Sequence, residues 1–279
     1  MEHSIAVTGS TGVVGGSVAR ILSTDGIPLV LPVRSPDRAQ HLPESIVRQA
    51  SYADFDAGVG ALAGVDVVFM VSAAEEEDRV ATHRSFIDAA KQAGVQHLVY
   101  TSFFGAAPDA TFLLGRDHWH TEEHIRNSGL AWTFLRDNLY LEAVPAFAQD
   151  GVIRGPAGDG ALAAVSQSDV AASAAAILRS PDAHAGKTYD LTGPEAFTLT
   201  EAAAIITELT PATVRFMNET HEEALASRAH YGAPEWEVEA WISTYTAIAR
   251  GELAGVSSDV EQLIGRPPLS LRDLFTGNE

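Results

Sequence analysis

Ser4-Ile5-Ala6-Val7-Thr8-Gly9-Ser10-Thr11-Gly12-Val13-Val14-Gly15-Gly16 is the stretch that decides the fold. A short apolar run breaks into glycines at 9, 12 and 15, and a helix-like pattern follows from Val13 to Leu22. Glycine tolerates positive φ and lets backbone amides come close to an anion. A helix that starts directly after such a turn offers free N–H groups and the positive end of its dipole. Strand, glycine turn and helix in that order form the context in which a glycine triplet reads as a dinucleotide site. Gly9, Ser10, Thr11, Gly12, Val13, Val14 and Gly15 are therefore the expected diphosphate cradle; a tight structural turn is the bland alternative.

Working outward, strand and helix signals alternate up to Arg136, which predicts a parallel sheet covered on both faces. Strands are expected at Ile5–Thr8, Leu29–Val33, Val67–Ser72, His97–Ser102 and Trp132–Arg136, with a weaker one near Ile46–Ala50. Helices are expected to begin near Gly12, Pro36, Asp56, Asp78 and Arg116. Gly94 and Gly129 stand where a glycine closes a helix just before the next strand. After Arg136 the alternation breaks. An alanine-rich helix is expected over 168–179, with Ser166 or Ser168 as its N-cap, then a returning strand at Lys187–Leu191 and a helix capped by Thr200. The fold class is α/β: a Rossmann-type doubly wound parallel sheet over residues 1–150, and a smaller, mostly helical substrate-covering lobe over 151–279 with strands returning to the main sheet.

Composition narrows the function. The 279 residues hold 18 Lys+Arg against 37 Asp+Glu, a net charge of −19. Such a field repels nucleic acid and anionic membranes, because affinity for both rests on neutralising phosphate. No cysteine is present, which excludes disulfides, cysteine nucleophiles and thiolate-held clusters. No leader-like segment opens the chain and no apolar run has the length of a membrane span, so a cytoplasmic protein is expected.

The end of the second strand selects the cofactor. An acidic side chain there accepts from a ribose 2′-hydroxyl, whereas an arginine meets a 2′-phosphate. The strand Leu29–Val33 runs into Arg34, and a guanidinium binds phosphate bidentately. NADP(H) is the expected cofactor. Asp37 lies beyond the strand end.

The acid of common short-chain reductases is a Tyr-x-x-x-Lys pair on one helix, in which the ammonium lowers the phenol pKa. Four residues after the six tyrosines stand Asp56, Phe104, Val144, Gly193, Glu235 and Ala249; none is lysine. In that region the chain offers Ser102-Phe103-Phe104 and Asp117-His118-Trp119-His120 instead. Ser102 sits at the carboxyl edge of the sheet, where ligands bind in doubly wound folds. His118 has the chemistry to hold the nicotinamide ribose or to donate a proton near neutral pH. Ser102 and His118 are the catalytic candidates, against strand-end and helix-surface roles. His120-Thr121-Glu122-Glu123-His124 matches an inverted zinc-protease pattern, but it has no third ligand, and no metal is expected.

Together these residues resemble the NmrA-like branch of the atypical short-chain dehydrogenase/reductase superfamily, in particular its bacterial NADPH-dependent quinone oxidoreductases. The likeness rests on Thr8–Gly12 with Gly15, Val33–Pro36, Ala89–Val95, Tyr100–Ser102, Asp117-His118, Thr133–Arg136, Asn138, Asp169–Ala171 and Tyr189–Pro194. It implies NADPH on the glycine loop, with Thr11, Val13 and Val14 near the diphosphate and Arg34 at the 2′-phosphate. It also places Ser72 at the end of the fourth strand and Ser102 on the nicotinamide side, and sets His118, a residue expected to hold the cofactor, where reducing relatives often keep a lysine. Phe103, Phe104, Trp119, Asn138 and Tyr140 would line the substrate pocket. A quinone accepts hydride without a strong acid, so the missing pair points to quinones or similar activated acceptors. The alternative is a regulator that binds NADP(H) without turnover and acts on a protein partner. A small-molecule acceptor, with neither nucleic acid nor membrane, is the expected partner, and a homodimer is left open.

Overall fold

A computed structural model describes residues 3–277. The sheet-forming part runs β1 (Ile5–Val7), α1 (Val13–Thr24), β2 (Leu29–Val33), β3 (Ser45–Gln49), α2 (Phe55–Ala61), β4 (Val67–Met70), α3 (Arg79–Gln92), β5 (His97–Phe103), α4 (Leu113–Ser128) and β6 (Ala131–Asp137). The rest runs α5 (Ala143–Ala146), β7 (Ala148–Gln149), β8 (Val152–Gly155), β9 (Ala161–Leu162), α6 (Gln167–Arg179), β10 (Lys187–Leu191), β11 (Phe197–Thr198), α7 (Leu199–Leu209), β12 (Arg215–Asn218), α8 (His221–Arg228), α9 (Glu235–Ala249), α10 (Asp259–Ile264) and α11 (Asp273–Thr276).

Seven strands form the main sheet in the order β10-β6-β5-β4-β1-β2-β3. β1 pairs in parallel with β2 on one side and with β4 on the other, so the strand order reverses at β1. That reversal is the switch point outside which α/β sheets bind ligands, at the carboxyl ends of the strands. The strands are continuous apolar runs because both faces of the sheet are covered. The returning strand expected at Lys187–Leu191 is β10, at the edge beside β6.

The chain separates into two compact units, each drawing on several segments. The first comprises the chain up to Ser102, Asp117–Arg136 and Gln167–Tyr189. Its core joins Ala6, Val30, Val68, Met70, Leu98 and Tyr100 to Phe86, Ile87 and Ile125 from the helices. Small residues let its helices come close: a Cβ on Gly58 of α2 would lie 2.9 Å from Ala89 of α3. Arg179, at the end of α6, closes a 2.7 Å ion pair with Asp25. The second unit comprises Phe103–Arg116, Asp137–Ser166 and the chain from Asp190. It holds a three-stranded sheet ordered β12-β8-β7 and the β11–β9 pair, around a core that includes Leu141, Ile153, Phe197, Ile206 and Ile248.

Local chemistry explains where elements begin and stop. Gly94 and Gly129 both adopt φ +88°, the left-handed turn that ends α3 and α4. The helix expected at Pro36 is only a single 3-10 turn, Pro36–Arg38. Thr198, not Thr200, caps α7: its hydroxyl accepts from Glu201 N–H while the Glu201 carboxylate accepts from Thr198 N–H, and only Thr198 has the N-cap to N3 spacing to that glutamate. The second unit also carries short strands that the helix-rich reading of its sequence did not include, because two-residue strands show no measurable alternation.

Candidate functional site

β1 ends at Val7 and α1 starts at Val13, so Thr8 to Gly12 form the turn between them. Gly9 adopts φ +62°, and Gly12 N–H donates back to its carbonyl at 2.9 Å. Gly12 is the N-cap of α1 and offers no side chain to the first-turn amides, which leaves them for an anion. A Cβ on Gly15 would lie 2.5 Å from the carbonyl oxygens of both Thr8 and Gly9, so only glycine lets α1 sit this close to the turn. Thr11, Gly12 and Val13 are exposed at the mouth (Val13 61%), while Ser10, Val14 and Gly15 lie beneath. The Ser10 hydroxyl is fully buried and has no hydrogen-bond partner. An open cradle of this shape fits a dinucleotide diphosphate.

The floor of the cradle is fastened by residues to which no sequence motif points. The Tyr52 hydroxyl bridges Thr8 Oγ1 at 2.5 Å and the Val71 carbonyl at 2.7 Å. Burial raises the Tyr52 pKa, so the phenol stays protonated. Arg34 follows β2 directly and is exposed, as is Arg38 four residues on. Both side chains belong to the loop that the 2′-phosphate reading requires.

The loop after β4 is pinned from β5 and α3. Ser72 N–H donates to Thr101 Oγ1 at 2.8 Å. Ala73 N–H donates to His83 Nε2 at 2.8 Å, and Arg79 Nε donates to the Ala73 carbonyl at 3.0 Å. Since Nε2 accepts, Nδ1 carries the proton and donates to Thr121 Oγ1 at 2.9 Å. Burial, then the charge of Arg79, lowers the His83 pKa to about 3. The i, i+4 spacing of Arg79 and His83 on α3 was the available signal for this pair, yet on an exposed helix the same spacing would carry no such meaning.

His118 lies on α4, buried, with Nδ1 3.0 Å from the Tyr100 hydroxyl. Burial first, then the charge of Arg79 and the neighbouring His83 ring, hold its pKa well below the usual histidine range. At neutral pH it is therefore a neutral imidazole, a hydrogen-bonding group and not a charged acid. Tyr100, whose hydroxyl meets it, is fully buried with its pKa raised by burial, so it is no substitute for the missing Tyr-Lys pair.

Ser102, at the end of β5, donates to Glu122 Oε1 at 2.6 Å. The Glu122 carboxylate is fully buried and also receives Arg136 Nε at 2.8 Å, Arg136 Nη2 at 2.7 Å and Arg126 Nη2 at 2.9 Å. This charge is paired on both oxygens, as a buried carboxylate must be. Ser102 thus has a fixed hydroxyl direction, with its lone pairs left as acceptors.

The remaining candidates belong to the second unit, apart from Trp119, which is half-buried on α4 in the first. Phe103 is buried with its ring 4.6 Å from that of Phe112. Phe104 is half-buried and lies where a Cβ on Gly255 would come within 2.8 Å of its ring. Asn138 is buried, with Nδ2 donating to the Leu253 carbonyl and Oδ1 accepting from Leu139 N–H. Tyr140 is half-buried and donates to Asp137 Oδ2 at 3.0 Å. Burial pushes the Asp137 carboxyl well above the usual range, and the Tyr140 hydrogen bond partly offsets this. Of the zinc-like histidines, His124 lies 2.8 Å from Asp88 and His120 packs on Trp119. Among the described residues no three His, Asp or Glu side chains gather as a metal set, and no helix is long and apolar enough to cross a membrane.

Comparison with known proteins bears on the same site. The sequence profile described as NAD(P)H-binding matches residues 9–181. The chain is 35% identical to quinone oxidoreductase 2 of Escherichia coli (strain K12) over 278 residues, covering 96% of each protein. It is 32% identical to the NAD(P)H azoreductase of Xenophilus azovorans, covering 94% of this chain and 93% of that one. The crystal structure of the NADPH-dependent quinone oxidoreductase of Escherichia coli complexed with NADPH superposes with a TM-score of 0.88 at 34% identity, covering 98% of this chain and 99% of that one.

Proposed function

Since the chain belongs to the NAD(P)H-binding family, in keeping with the NmrA-like character of its motifs, we propose that it is an oxidoreductase that uses NADPH to reduce a quinone or a similar small conjugated acceptor. The anion cradle at the start of α1 carries the assignment: an uncapped helix N-terminus, a positive-φ Gly9 and a Gly15 that admits no side chain. Two similar proteins of nearly the same length are named for a quinone and for an azo compound. Both are electron-poor conjugated systems, and neither requires the tyrosine acid that this sequence lacks.

NADPH, when bound, supplies the hydride. The chain's own part is to hold, orient and shield. The amides of Thr11, Gly12, Val13 and Val14 receive the diphosphate, and Arg34 receives the 2′-phosphate. Ser72, Ser102 and neutral His118 offer polar groups to the nicotinamide end. Because His118 is neutral at physiological pH, it serves as a hydrogen-bond partner for a ribose hydroxyl, and water supplies the proton that the reduced acceptor takes up. Phe103, Phe104, Trp119, Asn138 and Tyr140 are the proposed acceptor-side residues. Phe104, Trp119 and Tyr140 are partly open, whereas Phe103 and Asn138 are buried supports.

The test is loss of NADPH absorbance with a panel of quinones and azo dyes. Turnover with quinones sustains the proposal. Tight cofactor binding with no turnover on any conjugated acceptor overturns it.

A further inference from the structure

The loop that leaves β2 carries Arg34 and Arg38, yet its only regular structure is the 3-10 turn Pro36–Arg38. An arginine on such a loop selects a 2′-phosphate only if the loop is held at a fixed distance from the diphosphate cradle. One side chain spans that gap. Gln40 Nε2 donates to the Ser10 carbonyl of the glycine turn at 2.8 Å. Gln40 Oε1 accepts from Arg20 Nη1 at 3.1 Å, and Arg20 Nη2 is held by Ser17 Oγ at 2.8 Å. Both ends of the amide are therefore used, one on the cradle and one on α1. The fourth glycine of the opening stretch now has a use as well. A Cβ on Gly16 would lie 2.4 Å from Gln40 Nε2 and 3.0 Å from the Ser10 oxygen, so glycine at 16 is what admits the Gln40 amide.

We propose that Gln40, seated on Gly16 and braced by Arg20, is a positioning residue that sets the preference for NADPH over NADH by fixing the Arg34 loop against the diphosphate cradle. It touches neither phosphate by this account; it acts through Arg34. The proposal rests on the reading that Arg34 meets the 2′-phosphate.

Calorimetric binding of NADP+ and NAD+ tests it, on the wild type and on the Gln40→Leu, Gly16→Ala, Arg34→Ala and Gln40→Leu/Arg34→Ala variants. Leucine keeps the bulk of the glutamine side chain while removing both hydrogen bonds. Gln40→Leu is expected to weaken NADP+ about five- to twentyfold, the worth of one or two such bonds. NAD+ should change by less than about threefold. Gly16→Ala should act in the same direction by displacing the amide without removing it. In the Arg34→Ala background, Gln40→Leu should add little, because interacting groups are not additive. Equal weakening of both dinucleotides by Gln40→Leu, or full additivity with Arg34→Ala, overturns the proposal while leaving the Arg34 reading intact. An Arg34→Ala variant that binds NADP+ like the wild type overturns the Arg34 reading, and the proposal with it. Gly16→Ala keeps the test open should Gln40→Leu not fold.

Discussion

At the scale of single residues, the site depends on charge placed locally against a strongly negative whole. With a net charge of −19, an anionic cofactor is held only where cations and backbone amides converge. Arg34 is such a point: exposed, at the mouth of β2, and without an acidic neighbour at the strand end. Arg34→Ala should weaken NADPH about ten- to a hundredfold, the worth of charge-assisted hydrogen bonds, and leave NADH nearly unchanged. Fluorescence titration of both reduced dinucleotides checks this, and equal losses would refute it. Glu122 is the opposite case, an acid fully buried among Arg126, Arg136 and Ser102. Glu122→Ala would leave two guanidinium groups without their shared partner. Both arginines are partly exposed and can rehydrate, so the loss should fall at or below the low end for broken buried pairs, about 3 kcal/mol. Urea denaturation reads it directly. Glu122→Gln, which keeps the shape and one acceptor, should recover part of that loss.

At the scale of elements, the opening β–turn–α unit was legible because three constraints coincide in sixteen residues. The glycine spacing demands a turn, the apolar run before it demands a strand, and the pattern after it demands a helix. Gly15 is its most constrained position. Gly15→Ala would push a methyl group into two backbone carbonyls that have no rotamer to relax, so α1 would have to move off the turn. Dinucleotide binding should fall below detection in calorimetry while the far-ultraviolet circular dichroism of the protein is kept. The capping of α7 offers a test in the second unit: Thr198→Ala removes the side-chain half of a capping box, leaving the backbone N–H at 198 on the Glu201 carboxylate, and should cost about 1 kcal/mol in chemical denaturation, whereas Thr200→Ala should cost almost nothing. Sequence placed that cap two residues late because Thr198 is also the end of the short strand β11, and a two-residue strand leaves no periodic trace. Tyr52, His83 and Gln40 were hidden for another reason. Each joins segments at least ten residues apart through a hydrogen bond, and no local spacing announces such a bond. Ser102 and His118 were legible as candidates from their place at a strand end and on the following helix, while the groups that hold them, Glu122 and Tyr100, emerged only with side-chain positions.

At the scale of the whole molecule, buried histidines tie stability to acidity. His83, His97 and His118 are all held neutral by burial, with pKa values below the ordinary value and that of His83 at about 3. His83 is faced by Arg79 on its own helix, by the rings of Tyr52 and Tyr100, by Thr121 from α4 and by the Ala73 N–H, and none of these is an acid that would stabilise a proton on it. The unfolded chain takes up protons on these rings near pH 6.5, and the folded one does so only far lower. Their contribution to stability is therefore complete above about pH 6.5 and is lost as pH falls toward the folded values, by up to about 1.4 kcal/mol per pH unit for each ring. Asp137 works in the other direction, since its raised pKa makes the folded state the tighter proton binder above the ordinary carboxylate range. The histidine share is isolated by comparing wild type with His83→Gln in urea melts across pH. At about pH 7.5 the variant should be less stable by about 2 kcal/mol, because the Ala73 N–H and Thr121 hydroxyl lose a matched partner. Glutamine does not titrate, so the wild-type curve should fall more steeply on acidification, and the two should meet near pH 5. Parallel curves across that range would mean that His83 is not held neutral in the folded protein.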